Sequence, residues 1–173
     1  MTDEWVPSRA ELLEALRTSR DDVLRIVRAV PPATLEEGRY ENGWNARQIL
    51  AHIASIEWTY PRLIDIARGA PDKPAAAPAA DEYSTRSMRG GNDSYNERQV
   101  VKRAHLSPAE LLEEFERNRA ATIKAVEDAD EALFARPIRS AGGVTGPLAR
   151  VFYMIAVMHV LGHAQDIAGP ART

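Results

Sequence analysis

Cysteine is absent from the chain. That excludes a disulfide framework, thiolate metal ligation and a cysteine nucleophile. It suits a reducing compartment, and a cytoplasmic location is expected. The acidic start, Met1 to Trp5, lacks the basic and then apolar segments of an export signal. Long apolar runs are also missing. The longest, Val151 to Leu161, is interrupted by His159 and is too short to cross a bilayer, so no membrane partner is expected. The net charge is only −3, and acids and bases alternate along the chain. Without a basic stripe or tail, nucleic acid is not an expected partner. Internal repeats and strand-like alternation are missing too.

What remains is ordinary for a globular protein: 45% hydrophobic and 27% charged residues. A chain of 173 residues suits a single domain, 1–173, with a sizeable core. Its helix signals are clear. Ser8 with Glu11 forms a capping box, in which each residue's side chain bonds the other's amide. Leu12, Leu13, Leu16, Val23, Leu24, Val27 and Val30 then recur at helical spacing until Pro31-Pro32 ends the pattern. Asn45 with Gln48 opens a second helix, whose Ile49, His52, Ile56, Thr59 and Leu63 share a face. Pro61 is expected to kink it and Gly69 to cap it.

Residues 70–91 carry Pro71, Pro74 and Pro78 among alanines and end at Gly90-Gly91. They read as a loop or flap over a pocket, with Arg86 or Arg89 available to an anionic substrate. A short helix is expected from Ser94 to about His105. Ser107-Pro108-Ala109-Glu110 opens a long helix buried through Leu111, Leu112, Phe115, Ile123 and Val126. The last helix follows Gly142-Gly143 and Pro147, with Thr145 or Gly146 as its cap, and runs to about Ala168. It is apolar nearly all round, so one side should face the bundle and the other a second subunit. The fold class is all-α, a four-helix bundle with one or two short extra helices.

His159 and His163 lie four apart on the last helix, about one turn from each other, which is the reach two ligands to one ion require. They share a stripe with Phe152 and Ile155, and His52 sits between Ile49 and Ile56, so all three rings should point inward. Two helices then present three imidazoles to a common point. Imidazole suits zinc, nickel, iron and copper. Three protein nitrogens leave a position for water, the open arrangement of a catalytic site. Against this, one inward histidine is more often a hydrogen-bonded core residue than a ligand. Val160 and Leu161 fill the middle of the pair, so no zincin-type glutamate is present. Asp166 and Gln48 are candidates to orient ligands from behind, or are plain polar residues near helix ends. His105 reads as a surface or capping residue. Trp58 reads as core or pocket wall.

Two stretches resemble a known family. Gly43-Trp44-Asn45-Ala46-Arg47-Gln48-Ile49-Leu50-Ala51-His52 is similar to the second-helix signature of the DinB superfamily. Met158-His159-Val160-Leu161-Gly162-His163-Ala164-Gln165-Asp166-Ile167 is similar to its last-helix signature. Where many relatives carry a doubled histidine with Arg-Gly-Gln, this chain has Gly162-His163-Ala164-Gln165. The resemblance implies an up-down-down-up bundle, commonly a homodimer. It also implies a divalent metal, zinc or nickel, on His52, His159 and His163. The activities it implies are metal-dependent hydrolysis of a small-molecule substrate, or transferase or isomerase chemistry with a low-molecular-weight thiol cosubstrate. A thiol from outside would fit a chain without cysteine. The alternatives are a non-catalytic bundle that binds or sequesters a small molecule, and a structural dimer with core histidines. Bound metal separates the first from the last; turnover separates the first from the second.

Overall fold

A computed structural model describes residues 4–40, 43–69 and 92–169. The expected flap, with Arg86 and Arg89, lies outside the described residues. Six helices carry the fold: α1 Arg9–Arg28, α2 Ala46–Glu57, α3 Arg62–Gly69, α4 Asn92–Lys102, α5 Pro108–Asp128 and α6 Leu148–Ala168. The capping boxes at Ser8/Glu11, Asn45/Gln48 and Ser107/Glu110 all form. Each satisfies two amides that a helix start leaves unpaired. Gln48 is thereby committed to its cap and does not support a histidine.

Contacts between helices fix their directions. Arg9, at the start of α1, donates to the Ala129 carbonyl just past the end of α5. Further along, Arg17 pairs with Glu127 and Arg28 with Glu116, so α1 and α5 run antiparallel. Asn118 donates to the Ala54 carbonyl and Thr122 to that of Glu57, so α2 and α5 advance together. Arg150 pairs with Glu4, which sets α6 parallel to α1. The bundle is up-down-down-up. Helices α1 and α2 sit diagonally, each packed against α5 and α6.

The core lies where the apolar stripes meet, with Leu12, Leu16, Ile49, Ile53, Leu111, Phe115, Phe152 and Ile167 fully buried. At its centre lies an ion pair. Arg119 and Glu57 have fully buried side chains and meet through two hydrogen bonds, 2.7 and 3.0 Å. The guanidinium also donates to the Leu16 carbonyl, the Ser19 hydroxyl and the Ala156 carbonyl. All five of its N–H groups therefore have acceptors, and one residue of α5 ties together the other three main helices.

Several elements depart from expectation. Pro61 breaks the second helix rather than kinking it: α2 stops at Glu57 and α3 begins at Arg62. A two-stranded antiparallel hairpin, β1 Pro137–Arg139 with β2 Thr145–Pro147, precedes α6. Thr145 and Gly146 therefore sit in a strand and do not cap the helix. Gly143 takes the turn at φ 86°, where a side chain would be strained. Helix α6 is long and apolar enough to span a membrane by length and composition, but its apolar residues Val151, Phe152, Ala156, Val157, Val160, Ala164 and Ile167 are buried in the bundle.

Candidate metal centre

The most consequential departure is in α6, where Tyr153–Met158 is a π-helical turn. The His159 amide donates to the carbonyl of Met154, five residues back, instead of that of Ile155. The Ile155 carbonyl is left for the His159 ring, which hydrogen-bonds to it. One extra residue per turn also rotates everything that follows. His159 consequently leaves the Phe152–Ile155 stripe and stands at the edge of the bundle, solvent-accessible on one side. The expectation that both rings of the pair point into the core holds only in part. Such insertions recur at functional sites because they re-aim a side chain without breaking the helix.

The structure brings the three predicted histidines together: one ring nitrogen from each of His52, His159 and His163 lies within 4.8 Å of the others. Ring centroids are 4.9 Å apart for His52–His163, 5.7 Å for His52–His159 and 4.5 Å for His159–His163. His105 is exposed and stands apart, adding only its charge near Glu110.

Partners on the far side of the His159 and His163 rings set their tautomers. The Tyr40 hydroxyl lies 3.1 Å from Nδ1 of His163 and donates to the Asp166 carboxylate at 2.5 Å. Since that proton points at Asp166, the phenolic oxygen accepts from Nδ1–H of His163. For His159, Nε2 faces His163, so Nδ1 is the nitrogen that serves Ile155. Nε2 of His159 and Nε2 of His163 sit 3.0 Å apart, at hydrogen-bond distance from each other. With both ring protons on Nδ1, the two Nε2 atoms would be free to bind one cation. His52 adds a buried Nδ1 with no hydrogen-bond partner, an arrangement that is costly unless a ligand compensates.

Electrostatics favour the neutral rings that a metal requires. Burial, with His163 and His159 as neighbours, lowers the pKa of His52 to about 3. Burial and the adjacent His159 lower that of His163 to about 4, against the pull of Asp166. Burial lowers His159 as well, opposed by its bond to Ile155. Asp166 and Tyr40 answer each other: burial and the carboxylate raise the phenol above its ordinary range.

Sequence reasoning missed Tyr40 and underrated Trp44. A bridge between Gly38 and Asn45 pinches the loop before α2 and presents Tyr40 to the end of α6. Its neighbour Arg39 holds the same end, donating to the Ile167 carbonyl at 3.3 Å. Trp44 packs against His52 with centroids 5.1 Å apart, and its indole N–H donates to Glu97 of α4 at 2.9 Å. The only sequence signal for Tyr40 was an aromatic residue inside a turn, three positions before Gly43. On the other side of the cluster a cavity of about 980 Å³ opens, lined in part by His52, His159 and Trp58. Trp58 is thus a pocket wall.

A four-helix bundle with three imidazoles converging from two helices at one end defines a class of histidine-site bundle proteins. Within that class the chain belongs to the DinB superfamily, whose family model matches residues 15–167. Among solved structures it is similar to a mycothiol-dependent maleylpyruvate isomerase, at 20% identity and a TM-score of 0.69, over 96% of this chain and 63% of that one. The chain thus spans less than two thirds of that enzyme. It is also similar to YfiT from Bacillus subtilis, described as a probable metal-dependent hydrolase with an unusual four-helix bundle topology. There the identity is 14% and the TM-score 0.60, over 96% of this chain and 91% of that one. At these identities the likeness establishes the shared fold. No curated protein matches the chain.

Proposed function

We propose that His52, His159 and His163 hold one divalent metal ion, zinc or nickel, and that the protein is a metal-dependent enzyme acting on a small molecule. The observation that carries this is the convergence of one ring nitrogen from each of His52, His159 and His163 within 4.8 Å, with Nε2 of His159 and His163 3.0 Å apart. A metal so held supplies Lewis acidity and lowers the pKa of water or a thiol in its open position. The chain's own residues do the rest. Tyr40 and the Ile155 carbonyl hold the ring protons on Nδ1 of His163 and His159. Trp44 excludes water from behind His52. The pocket between α3, the hairpin and α6 receives the substrate.

The reaction class is hydrolysis, or transfer or isomerisation with a low-molecular-weight thiol. The second is supported by the mycothiol dependence of one structural neighbour. Pairing into a homodimer through the outer face of α6 also belongs to this reading. There Met158 stands 49% exposed. A non-catalytic binding bundle is the second reading, favoured by the volume and apolar walls of the pocket.

The test is metal content by mass spectrometry on tag-free protein purified without chelators, beside a His159→Ala/His163→Ala variant. About one zinc or nickel per chain, lost in the variant, is the outcome this reading requires. Protein that holds no metal even after zinc or nickel is added would end it. Turnover in hydrolysis and thiol-transfer screens then separates enzyme from binder.

A further inference from the structure

The two sides of the histidine cluster differ in kind. Tyr40 and Asp166 back His163, whereas only His52 and His159 of the three line the large pocket. Any ligand reaching the cluster from this pocket therefore arrives along the face opposite Tyr40.

The pocket has two chemical features. Its walls are mainly apolar, formed by Ile56 and Leu63 below, Val144 of the hairpin side and Met154 of α6. Trp58 adds an indole that is 50% exposed. That indole has already committed its one donor, to the Tyr95 hydroxyl at 3.1 Å, so it offers a ligand only an aromatic face. A cavity of about 980 Å³ is at the upper end of those that enclose drug-sized organic molecules. The second feature is charge. Arg62 and Asp65 both stand at the pocket, but Asp65 is paired with Arg68 at 2.8 Å. Arg62 has no acidic partner among the described residues, so the uncompensated charge on the wall is positive.

We infer that this pocket takes an organic ligand with an apolar, aromatic-sized body and one acidic group, the body against Trp58 and Met154 and the acid at Arg62. That this ligand is the substrate rests on the metal-site reading above; that it binds does not.

The test uses the full chain and two fluorescent probes: 8-anilinonaphthalene-1-sulfonate, an aromatic anion, and N-phenyl-1-naphthylamine, nearly the same body without charge. Binding is read by probe emission and by energy transfer from Trp58, with Trp58→Phe as the control for transfer. Arg62→Gln is expected to weaken the sulfonate probe about 3- to 5-fold, the range of one partly exposed charge pair, and to leave the neutral probe unchanged. Ile66 and Met154 are both pocket-lining and 42% and 41% exposed, so an Ile66→Tyr/Met154→Tyr variant can narrow the pocket without opening the core. It is expected to weaken both probes about tenfold or more. Circular dichroism confirms that each variant is folded.

Probes indifferent to the double tyrosine variant sit elsewhere, and that result overturns the pocket. Equal effects of Arg62→Gln on both probes, or none on either, overturn the acidic group. Metal content and probe binding of the wild-type protein keep the two readings apart: protein that binds probe but no metal sinks the metal reading alone, and protein that binds metal but neither probe overturns the pocket alone.

Discussion

The Tyr40 hydroxyl donates to the Asp166 carboxylate at 2.5 Å, joining the loop before α2 to the last turn of α6. Asp166 lies 3.7 Å from Nδ1 of His163, beyond hydrogen-bond reach. Its hydrogen-bonded link to the histidine therefore runs through the phenol, beside the direct pull of its charge. Tyr40→Phe removes the relay and leaves the rings in place. Loss of an outer partner of a metal-bound histidine typically weakens metal affinity about 10- to 100-fold. Zinc affinity by competition with a chelating dye should fall within that range, while the urea midpoint moves little, because Tyr40 is 39% exposed. Asp166→Asn should act in the same direction, and the two together should not add. Unchanged affinity in Tyr40→Phe would show the relay to be incidental.

Gly43 is needed for the position of Tyr40. A Cβ on Gly43 would lie 2.7 Å from that of Tyr40, closer than carbon atoms approach. Both belong to one turn, in which the Gly43 amide donates to the Tyr40 carbonyl at 3.2 Å. Gly43→Ala must therefore move the tyrosine. Its expected signature is a loss of metal affinity matching that of Tyr40→Phe, and no further loss in the double variant. Additive losses would mean that the glycine serves something other than the tyrosine.

The lowered histidine pKa values make a prediction for the metal-free fold. In the unfolded chain these imidazoles titrate near the ordinary value of about 6.5. In the fold His52 and His163 resist protonation down to about 3 and about 4. Below about pH 6.5 the unfolded state thus binds more protons, and stability falls as pH falls. Chelator-treated protein should lose urea resistance progressively from pH 7 to pH 4.5. The His159→Ala/His163→Ala variant, with two fewer such groups, should lose less over the same interval. Parallel curves for the two proteins would show that the cluster is not the source.

The sequence made most of this legible because its signals were local. Capping boxes at Ser8, Asn45 and Ser107 marked three helix starts, and period-four apolar spacing marked the buried faces. The spacing of His159 and His163 identified two members of the cluster, and the Ile49–Ile56 stripe placed the third. What stayed hidden depended on distant partners. The π turn has no signature in Tyr153–Met158. It coincides with the Arg119 bond to Ala156 and with the bond of the His159 ring to Ile155, each a tertiary or side-chain event. The position of Tyr40 required the Gly38–Asn45 bridge. The role of Glu57 stayed hidden because nothing local announces an arginine 62 positions later. The short hairpin escaped because Pro137–Arg139 and Thr145–Pro147 are too brief to display alternation.

Arg119 links the core to the site. Its Nη2 donates to the Ala156 carbonyl at 2.7 Å, inside the π turn and three residues before His159. Burial pushes the Glu57 carboxyl above the usual carboxylate range, and the charge and hydrogen bonds of Arg119 act against that. Each ion thus depends on the other, since neither reaches water. Removing one partner of a buried pair costs about 3–5 kcal/mol, whereas replacing both with apolar groups of similar volume is often close to neutral. Arg119→Met should therefore lose stability on that scale in urea unfolding, and Arg119→Met/Glu57→Met should recover most of it. The double variant then isolates the second role. It still lacks the donor to Ala156, so the π turn can relax toward an α-helix and carry His159 out of register. Its zinc affinity should remain depressed although its stability has returned. Recovery of both together would confine Arg119 to the core, and recovery of neither would mean that the pair is needed to pack the bundle at all.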